Sequence, residues 1–310
     1  MICNRQIEEL DKKWRSEPES VLSEIQRLLK DPVPRRLLPP LLGIAGSALK
    51  AQFDHPGAER HIRMGLYFAD QIGDELAAGR LHQRLSSVWH HMGNDQKALE
   101  ENNLALLRSL LDIESVGKCL VDRGVFLYCL EEFRGSWIAY EASLLRLEDE
   151  TYRFCALQGL VECSEHVGKA TEAPRLVEEA LKLEAFPEAK AKLVWSCGML
   201  LARNSSTEQG IQRVKQAIEM LRDCSPVDTA IATVDLVKVL LLARRYAEAR
   251  SEATQMLAYC GILRKISRVA EAAAVELANL AASGEGLTLA ELETLRAKVS
   301  RAGAVLARQD

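Results

Sequence analysis

Two adjacent histidines, His90 and His91, are the residues whose type first suggests chemistry. Imidazoles ligate metals and carry protons near neutral pH. Neighbours on a helix project about 100° apart, however, so the pair makes a poor shared metal site. His55, His61, His82 and His166 stand at no ligand spacing with a carboxylate. The eight cysteines include no two closer than eight residues, so there is no CxxC unit. That spacing argues against a disulfide framework and a structural zinc site, and predicts small buried thiols in a reducing cytosol. The carboxylate pairs Glu100-Glu101, Glu131-Glu132 and Glu178-Glu179 would need a cleft that separates their pKa values. Without one they read as solvated helix faces. HExxH, GxSxG and a phosphate-cradling glycine loop followed by Lys are all absent. The residues therefore predict no catalytic group, no metal and no cofactor: not an enzyme.

The elements that would position any site are helices. Leu81–Asp112 reads as two amphipathic helices joined by a turn at Met92-Gly93-Asn94-Asp95. Within it a large residue, Trp89, is followed nine residues later by a small one, Ala98, and seven later by another, Ala105. The same template fits Leu49/Ala58/Gly65, Leu127/Ser136/Ser143, Ser164/Ala173/Ala180, Leu201/Gly210/Ala217 and Leu240/Ala249/Met256. The first small anchors recur at intervals of 40, 38, 37, 37 and 39 residues. Antiparallel helices cross closely only where one side chain is small and the facing one fills the gap. Seven residues put both anchors on one face, two turns apart. Such hairpins cannot bury both faces alone, so they must stack.

This pattern resembles the tetratricopeptide repeat (TPR) family over about residues 40–260. The residues that carry it are Leu85-Ser86, Trp89, Ala98 and Ala105, with Gly124, Phe133 and Tyr140 in the next unit. The family period is about 34 residues; here it is 37–40, and Ser136 and Ser164 replace the expected alanine and aromatic. The longer units look like those of bacterial regulatory and sensor arrays. The resemblance implies an all-α fold, a right-handed α-solenoid of antiparallel helix pairs. Residues 1–40 then form N-terminal capping helices with Ser20 as a helix cap. Residues 41–262 form the repeats and 263–310 the C-terminal capping helices, with a capping-box pattern at Thr288 and Glu291.

A TPR-like array implies a concave groove lined by the first helix of each pair. On the template this groove carries Arg80, Gln83, Ser87, His90 and His91, then Lys118, Val125 and Tyr128. It continues through Gln158, Glu162 and Glu165, then Lys192, Trp195, Met199 and Arg203, and finally Lys238. Tyr128 and Trp195 are its aromatic candidates for partner contact, with the core as the alternative for Trp195. Ser87, Val125 and Glu162 stand where a carboxylate-clamping array would carry asparagines, so that clamp is not intact.

Bulk properties agree with an interaction module. Net charge is −4 and pI about 6.0, which argues against nucleic acid as the partner. Residues 131–188 carry 13 acids against 6 bases, whereas 244–268 carry 6 bases against 2 acids. That asymmetry suits a charged partner. Apolar runs such as Val239–Ala243 are too short for a bilayer, and the first residues lack the apolar core of a signal peptide. The expected location is the cytoplasm and the expected partner a protein or peptide. Two readings follow: a scaffold that holds a peptide or partner protein in its groove, or a ligand-responsive sensor module of a bacterial signalling, transcription or defence system. Residues 1–40 are too short for a helix-turn-helix domain, and no enzyme domain follows Cys260, which favours the scaffold.

Overall fold

The computed structural model describes residues 3–204 and 206–263, with side chains as far as 256. Among them there are helices and no strand. In chain order they are α1 (Asn4–Lys13), α2 (Pro18–Leu28), α3 (Leu38–Ala51), α4 (His55–Ile72), α5 (Glu75–His91), α6 (Asp95–Arg108) and α7 (Ile113–Cys129). Then come α8 (Phe133–Leu144), α9 (Glu150–Ser164), α10 (Ala173–Leu181), α11 (Pro187–Arg203), α12 (Thr207–Leu221), α13 (Pro226–Leu242) and α14 (Tyr246–Leu263). The chain forms two compact units, Met1–Gly159 and Leu160–Asp310, divided within α9. In the first, α3/α4, α5/α6 and α7/α8 pack as hairpins and α4/α5 and α6/α7 join successive hairpins. In the second, α11/α12 and α13/α14 are the hairpins and α12 packs on α13. This is the stacked-hairpin architecture of an α-solenoid.

The template positions are where the hairpins touch. Ala58, Ala98, Ser136, Ala173, Gly210 and Ala249 are all buried, as are Gly65, Ala105, Ser143, Ala180, Ala217 and Met256. Two crossings leave no room for a Cβ on the first helix. A Cβ on Gly46 would lie 3.0 Å from the Ala58 carbonyl oxygen, and one on Gly198 3.0 Å from that of Gly210. In the middle hairpin the Ser136 hydroxyl donates to the Gly124 carbonyl at 2.7 Å, so the serine occupies an alanine's place and satisfies its own polar atom. Tyr140 fills the space that Gly124 and Gly159 leave, flat against two positions without a Cβ.

The turns repeat as closely as the crossings. Phe53, Gly93, Glu131, Gly168 and Arg244 all have φ between 60° and 74°. Each lies four residues after the first position of its template set, Leu49, Trp89, Leu127, Ser164 or Leu240. The next residue's N–H bonds back to the carbonyl of that position: Asp54 to Leu49 at 3.0 Å, Asn94 to Trp89 at 2.9 Å, Glu132 to Leu127 at 2.8 Å and Arg245 to Leu240 at 2.8 Å. One left-handed residue therefore follows α3, α5, α7, α9 and α13 and turns the chain back. Phe53, Glu131 and Arg244 hold that conformation against a Cβ penalty of about 1 kcal/mol. Glu131→Gly is accordingly expected to raise stability by about 0.5–1 kcal/mol, read as a shift of the urea midpoint with an unchanged m-value. Second and first helices alike are capped by Asp54, Asp74, Asn94, Asp112 and Ser225, each accepting the N–H three residues on.

Ser20 is not a cap: α2 begins two residues earlier, at Pro18, because a proline is favourable at the first helical position. Pro39 and Pro40 likewise lie in the first turn of α3. The C-terminal capping helices and the box at Thr288 and Glu291 lie outside the described residues, as do the bases Arg264, Lys265 and Arg268.

Candidate ligand cavity in the first unit

The first unit contains a cavity of about 910 Å³ walled by α1, α3, α5, α7 and the start of α9. Helical spacing explains its lining. Arg80, Arg84 and Ser87 follow one another at four and three residues along α5, and Lys118 and Asp122 at four along α7, so each set shares a face. Ser47 and Lys50 are three apart on α3. From α1 and its end come Glu8, Asp11, Lys12, Trp14 and Arg15.

Most of these charges are already paired. Arg84 bridges three helices, donating to the Ser47 hydroxyl at 2.5 Å and to Asp11 at 2.6 Å. Lys118 lies 3.2 Å from Asp149 and 3.5 Å from Glu114, and its ammonium sits 4.9 Å from the centre of the Tyr152 ring. Arg80 approaches Asp112 at 3.6 Å. Lys50 and Asp122 differ. The Lys50 ammonium donates to Ser87 at 2.7 Å and lies 5.6 Å from the Trp14 ring centre, with no ion pair among the described residues. Asp122 accepts from Gln83 at 2.8 Å and likewise has no ion pair among the described residues. Burial pushes the Lys50 ammonium down to about 8, with Asp122 opposing the shift. Burial raises Asp122 to about 6, with the Gln83 hydrogen bond and Lys50 opposing. Each is a charged group held in a place that disfavours its charge, facing one space.

Of the groove residues expected from the sequence, Arg80, Gln83, Ser87 and Lys118 line this cavity. His90 instead contacts Asp95 at 2.6 Å and packs on Phe126, with ring centres 5.4 Å apart. His91 stands 6.3 Å from the His55 ring. Tyr128 packs edge-on against Phe133. Gln158, half-buried on α9, is not part of the lining. Glu162, Lys192, Trp195, Arg203 and Lys238 fall in the second unit. There Lys192 pairs with Glu188 at 2.6 Å and Asp228 at 3.0 Å, and Arg203 with Glu165 at 2.9 Å. Trp195 packs against the core of α11–α14, with its indole nitrogen buried, so it is a core-facing side chain.

The sequence reading missed Trp14, Arg15, Lys50, Arg84, Asp122 and Tyr152. Asp122 had a signal: it stands one turn from Lys118, at the template position of Arg84. The wall from α1 had none, since nothing local tells a capping helix from a cavity wall. The cysteines also depart from expectation. Cys119, Cys163 and Cys197 are buried, but Cys3, Cys129, Cys155 and Cys224 are exposed, because they fall on outward helix positions and helix ends.

The fold and this cavity define the class: an α-solenoid of TPR-like helix pairs. No family model and no curated protein matches the sequence. Solved structures match the fold. The apo form of the quorum sensor NprR from B. thuringiensis is 14% identical with a TM-score of 0.59, over 96% of this chain and 83% of that one. A Rap protein complexed with Competence and Sporulation Factor is 12% identical with a TM-score of 0.54, over 98% and 96%. The C-terminal part of a TPR repeat-containing protein from Cytophaga hutchinsonii is 12% identical with a TM-score of 0.54, over 82% and 95%. No described helix is long and apolar enough to cross a membrane.

Proposed function

We propose that this chain is a non-enzymatic module that binds a short peptide, or an extended segment of a partner protein, in the cavity of its first unit. The observation that carries the reading is Lys50 and Asp122: two groups of opposite sign, without ion pairs among the described residues, lining one cavity. Their desolvation costs stability, and a ligand with complementary charges offsets that cost. The volume suits a ligand of a few residues. A ligand acid is held by Lys50 with Arg15 and Lys12, and a ligand base by Asp122. The likeness to NprR and to Rap supports the reading, since the first is described as a quorum sensor and the second is seen with a bound factor. The same likeness favours a second form of it, a peptide-responsive regulator in a bacterial cytoplasm whose ligand alters the stacking of the hairpins.

Selection of a random linear-peptide library on the full chain tests it. Enriched peptides are expected to carry both an acidic and a basic group and to be lost when the selection is repeated on Asp122→Asn plus Lys50→Met. Recovery of the same peptides by the double variant would reject the cavity as the site.

A further inference from the structure

Outside the cavity, at the edge of the first unit, side chains from three helices converge. His90 is in the last turn of α5, Asp95 is the first residue of α6, and Cys129 is the last residue of α7. A ring nitrogen of His90, a carboxylate oxygen of Asp95 and the Cys129 sulfur all lie within 4.8 Å of one another. We propose that these three residues form a binding site for a zinc-class divalent cation.

The geometry is built rather than incidental. Gly93, at φ 74°, closes the α5–α6 turn and sets Asp95 against His90 at 2.6 Å. Phe126, buried one turn before Cys129, packs on the His90 ring and fixes its plane. Cys129 ends α7 at the outer surface, is exposed and is not disulfide-bonded, so an ion reaches it from solvent. Tetrahedral zinc with bonds of about 2.0–2.3 Å needs ligand atoms roughly 3.3–3.8 Å apart. Small side-chain rotations supply the difference. A nitrogen, an oxygen and a sulfur donor suit zinc or cobalt(II) rather than calcium or magnesium, which take oxygen. Three protein ligands leave the fourth position to water. On binding, the Cys129 thiol releases its proton to solvent, so affinity rises with pH. His91 is not among the converging donors; its ring centre lies 5.9 Å from that of His90 and 6.3 Å from that of His55. A cation here would tie the turn of one hairpin to the first helix of the next and stiffen that joint.

Cobalt(II) titration of the full chain is the test. One equivalent is expected to produce a thiolate-to-cobalt charge-transfer band and intensified ligand-field bands, both displaced by zinc. Cys129→Ser is expected to lose the charge-transfer band. His90→Gln and Asp95→Asn are expected to weaken binding at least about tenfold, and His91→Gln to leave it unchanged. Circular dichroism of each apo variant checks that the helices persist; because Cys129 is exposed, its spectrum should match the parent. No charge-transfer band in the parent, or a band that survives Cys129→Ser, would overturn the site.

Discussion

Lys50→Glu is expected to weaken capture of a selected peptide about 100-fold or more, near 3 kcal/mol, by titration calorimetry at low salt. The ammonium it removes is a cation of the cavity wall without an ion pair among the described residues, and the carboxylate it adds would repel Asp122. Stability should move the other way for a neutral replacement. Lys50→Met removes a charge that burial disfavours and is expected to stabilise the chain at pH 7 by about 1–2 kcal/mol. Lys50 titrates near 8 when folded, below its ordinary 10.5. The unfolded chain therefore binds more protons between those values, and stability contributed by this group rises with pH across that window. Asp122 titrates near 6 when folded, above its ordinary 3.8. Its neutral form favours the fold most below 3.8, and that contribution is lost as pH rises through 6. Urea midpoints measured from pH 4 to 10 should thus show a fall that disappears in Asp122→Asn and a late rise that disappears in Lys50→Met. Binding of an acidic ligand group to Lys50 should weaken through both steps as pH increases. Unchanged peptide affinity in Lys50→Glu would move the site away from this cavity.

The second large effect is at the helix crossings. Gly210→Ala is expected to cost about 3 kcal/mol, although alanine is the better helix former by about 1. A Cβ there would lie 2.6 Å from the Ala202 nitrogen and 2.7 Å from the Gly198 carbonyl oxygen. Those atoms are backbone, so relief requires α11 and α12 to separate. Ala98→Leu, at the same template position of the α5/α6 hairpin, is expected to cost at least as much, because Ala98 is fully buried. Gly135→Ala supplies the contrast. Its nearest neighbour is the tip of Leu127 at 3.4 Å, so the propensity gain stands and stability should rise by about 0.5 kcal/mol. Thermal or urea unfolding of the three variants separates crossing sites from ordinary helix glycines. Equal stability of Gly210→Ala and the parent would sink the repeat register.

The placement of Trp195 shows where a linear pattern stops being informative. A template assigns each residue to a helix face, and an aromatic on a groove-facing position reads as a contact residue. Whether that face meets solvent depends on how far the next hairpin is rotated, and here the core of α11–α14 takes the indole. The same dependence explains His90. Its partner Asp95 stands five residues on, across the turn, whereas Cys129 lies one repeat further on, and the repeat length alone does not say which helix ends will touch.

What the sequence determined by itself was the periodic part: small anchors every 37–40 residues, and therefore helix pairs that must stack. These are local and steric, so spacing encodes them. Only the tertiary structure decided which charges remain without partners. Arg84 finds Asp11 on α1, and Arg80 and Lys118 find Asp112 and Asp149 just before α7 and α9, while Lys50 and Asp122 form no ion pair among the described residues. Pairing is a matter of a few ångströms between helices far apart in the chain, and desolvation depends on every wall around the space. Neither quantity has a period, so no reading of residue order alone reaches it.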